Sequence, residues 1–475
     1  MLKNIGFGDH ISKVYFLFFF GICLLLSLSF LSGADIRGVE SNVIFTIQQI
    51  LVDNSLLYQN PAKLPYAITQ YTPLYYIICD LILTLFDVNE FDVFNIRMIS
   101  KLVSLVFLVA SVFNINRIFR VHFKLPKSDA FLLVSLFIVV SFPWFIISRP
   151  DVLVSYFMLL CIDLFFCFLS LASKQTGILF SLIFGLYLLI NELWRAVFFL
   201  GFGFIVCAIF FSLLMLSFGY DFTFFKENII DGVSDFSLLY AIKATYQDFV
   251  LYYTFLIFGI VFFIKDGFVK MIHSKKTISF FLTFLVLLLL LLFSMVFALK
   301  KGSGINYFND FLIVLLLLLG YSIITKKDYL KYKKKNFVSF LFLVGIQVSI
   351  VHFYYYSERI AKGIYEEHLS NSTLRNDIKY FLNNNIEDAY FYSDDRRINL
   401  NNFKNCILPQ IEIHQAALNK GAYQYNNLRE DFYNGKIKYL ILYSNVRPIL
   451  NIDVINYYSF EGEMGGLKIF KYKEL

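Results

Sequence analysis

No two of the six cysteines form a CxxC pair, and none stands at a metal-ligand spacing with histidine, so the chain carries neither a dithiol redox motif nor a zinc-finger pattern. Cys23, Cys79, Cys161, Cys167, Cys207 and Cys406 lie mostly in apolar runs and read as small buried residues. No basic patch exists to hold nucleic acid: from Tyr354 to Leu475 there are 15 Lys+Arg against 15 Asp+Glu, so the tail is neutral. The first apolar run has no small-residue cleavage site before Asp35, which reads as a retained span rather than a signal peptide. Internal repeats are absent, and so is low complexity beyond Leu/Phe runs. Charged residues make up only 16% of the chain, whereas 58% is hydrophobic, at a mean hydropathy of +0.65. Several runs reach the roughly 20 apolar residues that cross a bilayer, which excludes an ordinary soluble globule. The chain is a polytopic helical membrane protein.

The net charge of +7 therefore resides in the membrane part, where short basic loops set orientation. Span one, about Val14 to Leu31, follows Lys3 and Lys13, which puts the N-terminus in the cytoplasm and the loop from Ser32 outside. Inside that loop Ser41 to Leu51 predicts a short amphipathic helix with Val43, Ile44, Ile47 and Leu51 on one side. The run from Pro73 to Phe86 is too short for a crossing and contains Asp80, so it predicts an interfacial or re-entrant helix. Span two, Met98 to Ile115, leads to the cations Arg117, Arg120, Lys124 and Lys127 of a cytoplasmic loop. Span three, Ala130 to Ile147, returns outward and delivers Arg149-Pro150-Asp151. Counting back from the C-terminus, Lys326–Lys335 holds six lysines and one aspartate, and Lys265–Lys276 four lysines and one aspartate; both are expected inside. Spans near Val250–Ile264, Ile278–Leu299, Phe311–Ile324 and Phe337–His352 alternate around them. Parity then requires either that Val152–Ser173 is a hairpin of half-length helices, the preferred reading, or that Thr176–Ile190 does not cross.

From about Tyr354 onward Asn, Asp and Lys rise and long apolar runs cease. Leu374–Leu382 predicts a helix, Ala389–Tyr392 a strand and Leu428–Tyr433 a helix end. Ile437–Tyr443 (IKYLILY) predicts a buried strand, and Leu467–Tyr472 another. The expectation is an all-α membrane bundle of about ten or eleven transmembrane helices in residues 1–353, with a first outer loop over 32–97. A small extracytoplasmic α/β domain with its own core occupies 354–475.

Three carboxylates fall on the outer face: Asp35 and Glu40 in the first loop and Asp151 after span three. One such group can deprotonate a hydroxyl nucleophile, an effect of roughly 10²–10⁴ in rate. Glu40 and Asp151 together are of the type that holds Mg²⁺ or Mn²⁺ through oxygen ligands. Helix capping, or pairing with Arg37 and Arg149, is the competing role. The same face carries the cations Arg37, Arg149, Lys174 and Lys301, donors suited to a departing phosphate. Anchoring of headgroups by cations at span ends competes with that role. Lys300-Lys301-Gly302-Ser303-Gly304 with Asn306, Tyr307, Phe308 and Asp310 packs a polar set between two very apolar spans, and its glycines allow close backbone approach to a ligand. The loop tyrosines Tyr58, Tyr66, Tyr71, Tyr75 and Tyr76 suit sugar stacking and an interfacial belt equally.

The acidic loop after span one, Tyr71-Thr72-Pro73-Leu74-Tyr75-Tyr76, Arg149-Pro150-Asp151, Lys174-Gln175-Thr176-Gly177 and Lys301-Gly302-Ser303 with Asn306-Tyr307-Phe308 together resemble the GT-C superfamily of membrane glycosyltransferases. The resemblance is to its protein O-mannosyltransferase and aminoarabinose transferase branch, and it covers most of Val14 to Leu312. It implies a sugar moved from a polyprenyl-phosphate donor to a hydroxyl of a glycan, lipid or protein on the non-cytoplasmic face of a bacterial inner membrane. It makes the first-loop acid the base; Glu40 fits that position better than Asp35 by its distance to Tyr58. Asp151 matches the second acidic position, with Arg149, Lys174, Lys301 and Arg37 as phosphate donors and Tyr71, Tyr75, Asn306, Tyr307 and Asp310 toward substrate. The chain departs from the family in lacking the adjacent Asp-Glu pair and in having a short segment between Asp151 and Lys174. It also lacks a phosphate-binding lysine before Pro73, a role that passes to Arg149, Lys174 or Lys301. A polymerase or ligase of lipid-linked sugars is one rival, though the longest central outer loop, Tyr220 to Asp248, is modest. A lipid or glycan transporter is another; it needs polar groups in mid-span, which Ile278–Leu299 and Phe311–Leu319 nearly lack.

Overall fold

The computed structural model describes residues 7–32, 40–145, 147–159, 174, 193–218, 222–231, 237–243, 254, 288–289, 291–297, 299, 308–325, 330–368, 380–381, 384 and 389–474. The helices are α1 (Phe7–Ser32), α2 (Ser41–Val52), α3 (Leu74–Leu85), α4 (Val93–Arg117), α5 (Lys127–Phe145), α6 (Asp151–Leu159) and α7 (Leu193–Phe218). They continue with α8 (Phe222–Lys226), α9 (Leu238–Lys243), α10 (Asn309–Thr325), α11 (Leu330–His368), α12 (Arg396–Asn401), α13 (Ile411–Asn419) and α14 (Asn426–Tyr433). Among the described residues His10–Leu31, Val93–His122 and Val338–Tyr365 are long and apolar enough to cross a membrane, so this is an integral membrane protein. The readings at Val152–Ser173 beyond Leu159 and at Thr176–Ile190 fall outside the described residues, as do most of Val250–Ile264, of Ile278–Leu299 and of Leu374–Leu382.

The chain divides into two compact units. The first comprises Met1–Ser29, Ser104–Val206 and Phe236–Glu358, the second Phe30–Val103, Cys207–Asp235 and Arg359–Leu475.

In the first unit, apolar helices approach closely where small residues face large rings. A side chain on Gly21 would collide with Phe353, and one on Gly345 with Tyr15, so glycine sets the spacing of α1 and α11. The Tyr15 hydroxyl donates to Ser135 Oγ on α5 at 2.7 Å. The Phe142 ring of α5 packs on His352 and Tyr356 of α11 at centroid distances of 5.5 Å. A polar chain then joins three helices: Ser141 Oγ donates to Asn309 Oδ1 at 3.2 Å, and Asn309 Nδ2 donates to Ser155 Oγ at 2.7 Å. Bonds of this kind between membrane helices contribute about 0.6 kcal/mol each, and they fix rotation as well as distance.

In the second unit α3 spans 12 residues, about 18 Å of rise, well short of a bilayer core. The short interfacial or re-entrant helix expected there is a helix of that length. Helix α2 differs from expectation. Instead of one apolar side, Ser41 through Ile50 are all buried. The reason is enclosure: α2 packs on α3, on the turn Asn54–Tyr58 and on α12. Phe45 meets Phe403 edge-on at 6.2 Å, and Gln48 Nε2 donates to the carbonyls of Glu90 and Leu400, both at 2.9 Å.

The C-terminal part of this unit is a five-stranded sheet of β1 (Tyr390–Ser393), β2 (Cys406–Ile407), β3 (Ile437–Leu442), β4 (Tyr458–Met464) and β5 (Leu467–Tyr472), in the order β2-β1-β3-β5-β4. The first three strands are parallel and the last two antiparallel. IKYLILY is apolar throughout because both faces of β3 are covered: Tyr439 and Ile441 join a core with Phe391 and Ile469, while Leu440 and Leu442 join one with Tyr392, Leu428 and Phe432. The second core also contains Tyr66 and Ile68 of the first loop. Pro65 accepts from the Leu408 amide at 3.1 Å, and the Tyr66 hydroxyl donates to Asp431 at 2.6 Å. An independent core for 354–475 was the expectation; in the structure the loop supplies part of it. Helix α11 also runs unbroken through position 354 to His368, about 58 Å of rise for its 39 residues.

Candidate active site

Two clusters of buried ions contain the predicted residues, one in each unit. In the second unit Glu40 immediately precedes α2 and its side chain is fully buried. Its Oε1 lies 3.7 Å from Lys101 Nζ and its Oε2 lies 3.9 Å from Arg97 Nε. Arg97 and Lys101 are four residues apart on α4, hence stacked on one helix face, and both are 2% exposed. The surrounding shell is tyrosine-rich and closed. Tyr75, wholly buried, donates its hydroxyl to the Ser100 carbonyl at 2.9 Å, one residue before Lys101. Tyr58 donates to the Tyr71 carbonyl at 2.9 Å, and Asn42 Nδ2 to Gln70 Oε1 at 3.0 Å. Tyr75 thus fixes the backbone that carries Lys101, and Tyr71 lies 6% exposed beside it in sequence order on the Pro73 turn.

In the first unit Asp151 opens α6, where unpaired backbone N–H groups and the helix dipole favour a carboxylate. Lys174 Nζ donates to Asp151 Oδ1 at 2.5 Å, with both side chains about 5% exposed. Arg149 Nε stands 3.7 Å from Asp151 Oδ2 and is 21% exposed. Asp310, half-buried in the first turn of α10, is near enough for the charges of Lys174 and Asp151 to act on it. Its neighbour Asn309 belongs to the Ser141–Ser155 hydrogen-bond chain, which is what holds the start of α10 against α5 and α6.

Of the predicted site residues, Asp151, Arg149, Lys174 and Asp310 come together in one cluster, and Glu40, Tyr71 and Tyr75 lie in the other unit. Asp35, Arg37, Lys301, Asn306 and Tyr307 lie outside the described residues. Arg97 and Lys101 were not anticipated, because the apolar run from Met98 reads as an ordinary span. The signal was there nonetheless: an ionisable residue inside such a span marks a functional position and calls for a named partner. Concerning the expected divalent cation, Glu40 faces two cations and Asp151 faces two others. Among the described residues no three His, Cys, Asp or Glu side chains gather as a ligand set.

Chemically, each cluster puts a carboxylate where it can accept a proton and guanidinium or ammonium groups where they can meet an anion. In a low-dielectric setting both effects are stronger than in water.

No protein-family model and no curated protein matches the chain. Among solved structures, ArnT from Cupriavidus metallidurans bound to undecaprenyl phosphate aligns over 96% of this chain and 97% of its own, at 9% identity and a TM-score of 0.56. ArnT from the same organism in the apo state aligns over 97% and 98%, at 13% identity and a TM-score of 0.48. The end-to-end match to the first of these, with apolar helices leading into a small C-terminal sheet, gives the chain the fold of ArnT.

Proposed function

We propose that the protein is a glycosyltransferase that moves a sugar from a polyprenyl-phosphate-linked donor to a hydroxyl acceptor on the extracytoplasmic face. The observation that carries this reading is the full-length likeness to ArnT, whose crystal structure holds undecaprenyl phosphate. The buried carboxylate–cation clusters supply the chemistry, since a fold alone does not specify a reaction. Glu40, or Asp35, takes the proton of the acceptor hydroxyl. The freed oxygen attacks the anomeric carbon, the bond from that carbon to the phosphate oxygen breaks, and polyprenyl phosphate leaves with the bonding electrons. A single in-line attack of this kind inverts the anomeric centre. Arg149, Lys174, Lys301 and Arg37 hold the leaving phosphate, whose charge grows in the transition state. Asp151 sets the position of Lys174 and Arg149 through the contacts already described. Tyr71, Tyr75, Asn306, Tyr307 and Asp310 shape the substrate surroundings.

The test uses membranes containing the full chain and a lipid extract of undecaprenyl-phosphate-linked sugars. Free undecaprenyl phosphate and the glycosylated acceptor are followed by mass spectrometry. Glu40→Ala, Asp35→Ala and Asp151→Ala are assayed separately. Loss of transfer with Asp151→Ala and with one of the first-loop variants is expected. Full activity in all three variants ends the proposal.

A further inference from the structure

We propose that the C-terminal α/β part of the second unit binds a neutral saccharide unit in the crevice at the carboxyl ends of β1 and β3. The topology makes the crevice. Strand β1 lies between β2 and β3, all three parallel. The chain leaves β1 through α12 toward β2, and leaves β3 on the opposite side, toward β4 at the far edge of the sheet. Loops that diverge from neighbouring strands leave a cleft between them, and open α/β sheets bind their ligands at such a switch point. Here the cleft is a cavity of about 370 Å³, at the small end of the roughly 300–1,000 Å³ of small-molecule sites.

The lining selects the ligand. Arg396 pairs with Glu412 at 3.0 Å, and Arg447 pairs with Asp394 at 3.3 Å. Two carboxylates and two guanidinium groups leave no excess of either sign, so the cleft favours neither a bare phosphate nor a metal ion. What it offers is a ring of alternating strong donors and acceptors, the complement of a polyol. Tyr443 adds an aromatic surface that is half exposed, and its hydroxyl is held by Asp395, so the ring is fixed for stacking against a sugar face. Asp395 is itself anchored: burial alone would raise its carboxyl, but the bonds from Arg397 and Tyr443 outweigh burial and hold it below the usual carboxylate range.

A separate observation points at an occupant. Asn399 is 3% exposed and lines the cleft from α12. Its Nδ2 donates to the Ser393 carbonyl at 3.2 Å, yet its Oδ1 has no hydrogen-bond partner among the described residues. Buried amide oxygens are nearly always satisfied. A ligand hydroxyl donating to Asn399 Oδ1, with its other groups on the flanking ion pairs, completes the site.

The experiment measures binding alone, so it stands or falls independently of sugar transfer. Saturation-transfer NMR on the full chain in nanodiscs is run with methyl glycosides of glucose, galactose, mannose and N-acetylglucosamine, with inorganic phosphate as competitor. Saturable binding of at least one glycoside, not displaced by phosphate, is expected. It should weaken by about tenfold or more in Asn399→Leu and in Arg447→Ala. Arg447 is largely exposed, so its replacement leaves folding intact if Asn399→Leu does not. The proposal is overturned if no glycoside binds, if binding survives both substitutions, or if phosphate displaces the sugar and the cleft is an anion site instead.

Discussion

Glu40 and Lys101 meet 3.7 Å apart with almost no solvent at either side chain, the acid just before α2 and the base a third of the way along α4. Glu40 also faces Arg97, so the two losses are unequal. Taking the partner from a buried charge costs about 3–5 kcal/mol; loss of Glu40 removes the carboxylate from both cations, whereas loss of Lys101 leaves Glu40 facing Arg97 at 3.9 Å. The pair and Arg97 therefore do two jobs, fixing the start of α2 against α4 and keeping a carboxylate poised inside the protein.

These roles separate experimentally. Glu40→Gln keeps the shape and removes the base, and should lower sugar transfer by roughly 10²–10⁴. The same Glu40→Gln change should lower the thermal midpoint clearly, because Arg97 and Lys101 both lose their carboxylate. Lys101→Met, which leaves Glu40 its contact with Arg97, should lower it less. Transfer within twofold of the parent in Glu40→Gln would remove Glu40 from the chemistry and leave Asp35 as the base.

The second cluster predicts a different kinetic signature. Arg149, the more exposed of the two cations on Asp151, can reach an incoming anion with little rearrangement, while Lys174 is buried against Asp151 with Asp310 nearby. Arg149→Ala should chiefly raise the KM for the lipid-phosphate donor. Lys174→Met should lower kcat and also destabilise the chain, because Asp151 loses its shortest ion-pair contact with Asp310 nearby. Equal KM in Arg149→Ala and parent would exclude Arg149 as a phosphate donor.

What could be read from the sequence follows the range of the forces involved. The short helix α3 was legible because Pro73, the short apolar run to Phe86 and Asp80 are all local signals. The strand IKYLILY was legible because burial on both faces leaves an unbroken apolar run. The enclosure of α2 was not, because it depends on Leu400, 352 residues away from Gln48. Likewise nothing local in Tyr66 says that its hydroxyl is destined for Asp431, 365 residues on. Within the site, Asp151 and Lys174 were legible as polar residues at the ends of apolar runs. Arg97 and Lys101 were missed: the ionisable residue in the span was a signal, but the carboxylate that faces them comes from another element.

The turn between α14 and β3 makes a stability prediction free of the catalytic question. Gly435 has φ +70°, and a Cβ there would stand 2.6 Å from the Tyr472 ring, whose hydroxyl donates to the Tyr433 carbonyl at 2.5 Å. Both the backbone conformation and the ring reject a side chain. Gly435→Ala should destabilise the C-terminal part by about 1–3 kcal/mol, read as faster hydrogen exchange in β3 and β5. Unchanged exchange would show that the ring moves aside without cost.

Acid should loosen the same sheet through His414. This residue lies 1% exposed on α13, with Nδ1 2.8 Å from the Tyr425 hydroxyl. Burial pulls its pKa down from 6.5 to about 3, so it stays neutral in the folded protein. Between those values the unfolded chain binds a proton that the folded chain refuses, and stability therefore rises with pH. It is complete above about 6.5 and falls on acidification by up to about 1.4 kcal/mol per pH unit until the folded value is reached. Asp395, held below its ordinary 3.8, and Glu90, held below its ordinary 4.5 by a backbone hydrogen bond and Lys404, lose their contributions only as pH falls toward those figures, so they leave the interval from pH 6.5 to about 5 to His414. Hydrogen exchange of β3 measured at steps across that interval should accelerate in the parent. In His414→Gln, which has no proton to take up, the same steps should leave exchange, corrected for its intrinsic pH dependence, nearly flat. A parent profile as flat as that of the variant would mean that His414 is protonated in the folded state, and hence that its surroundings admit water.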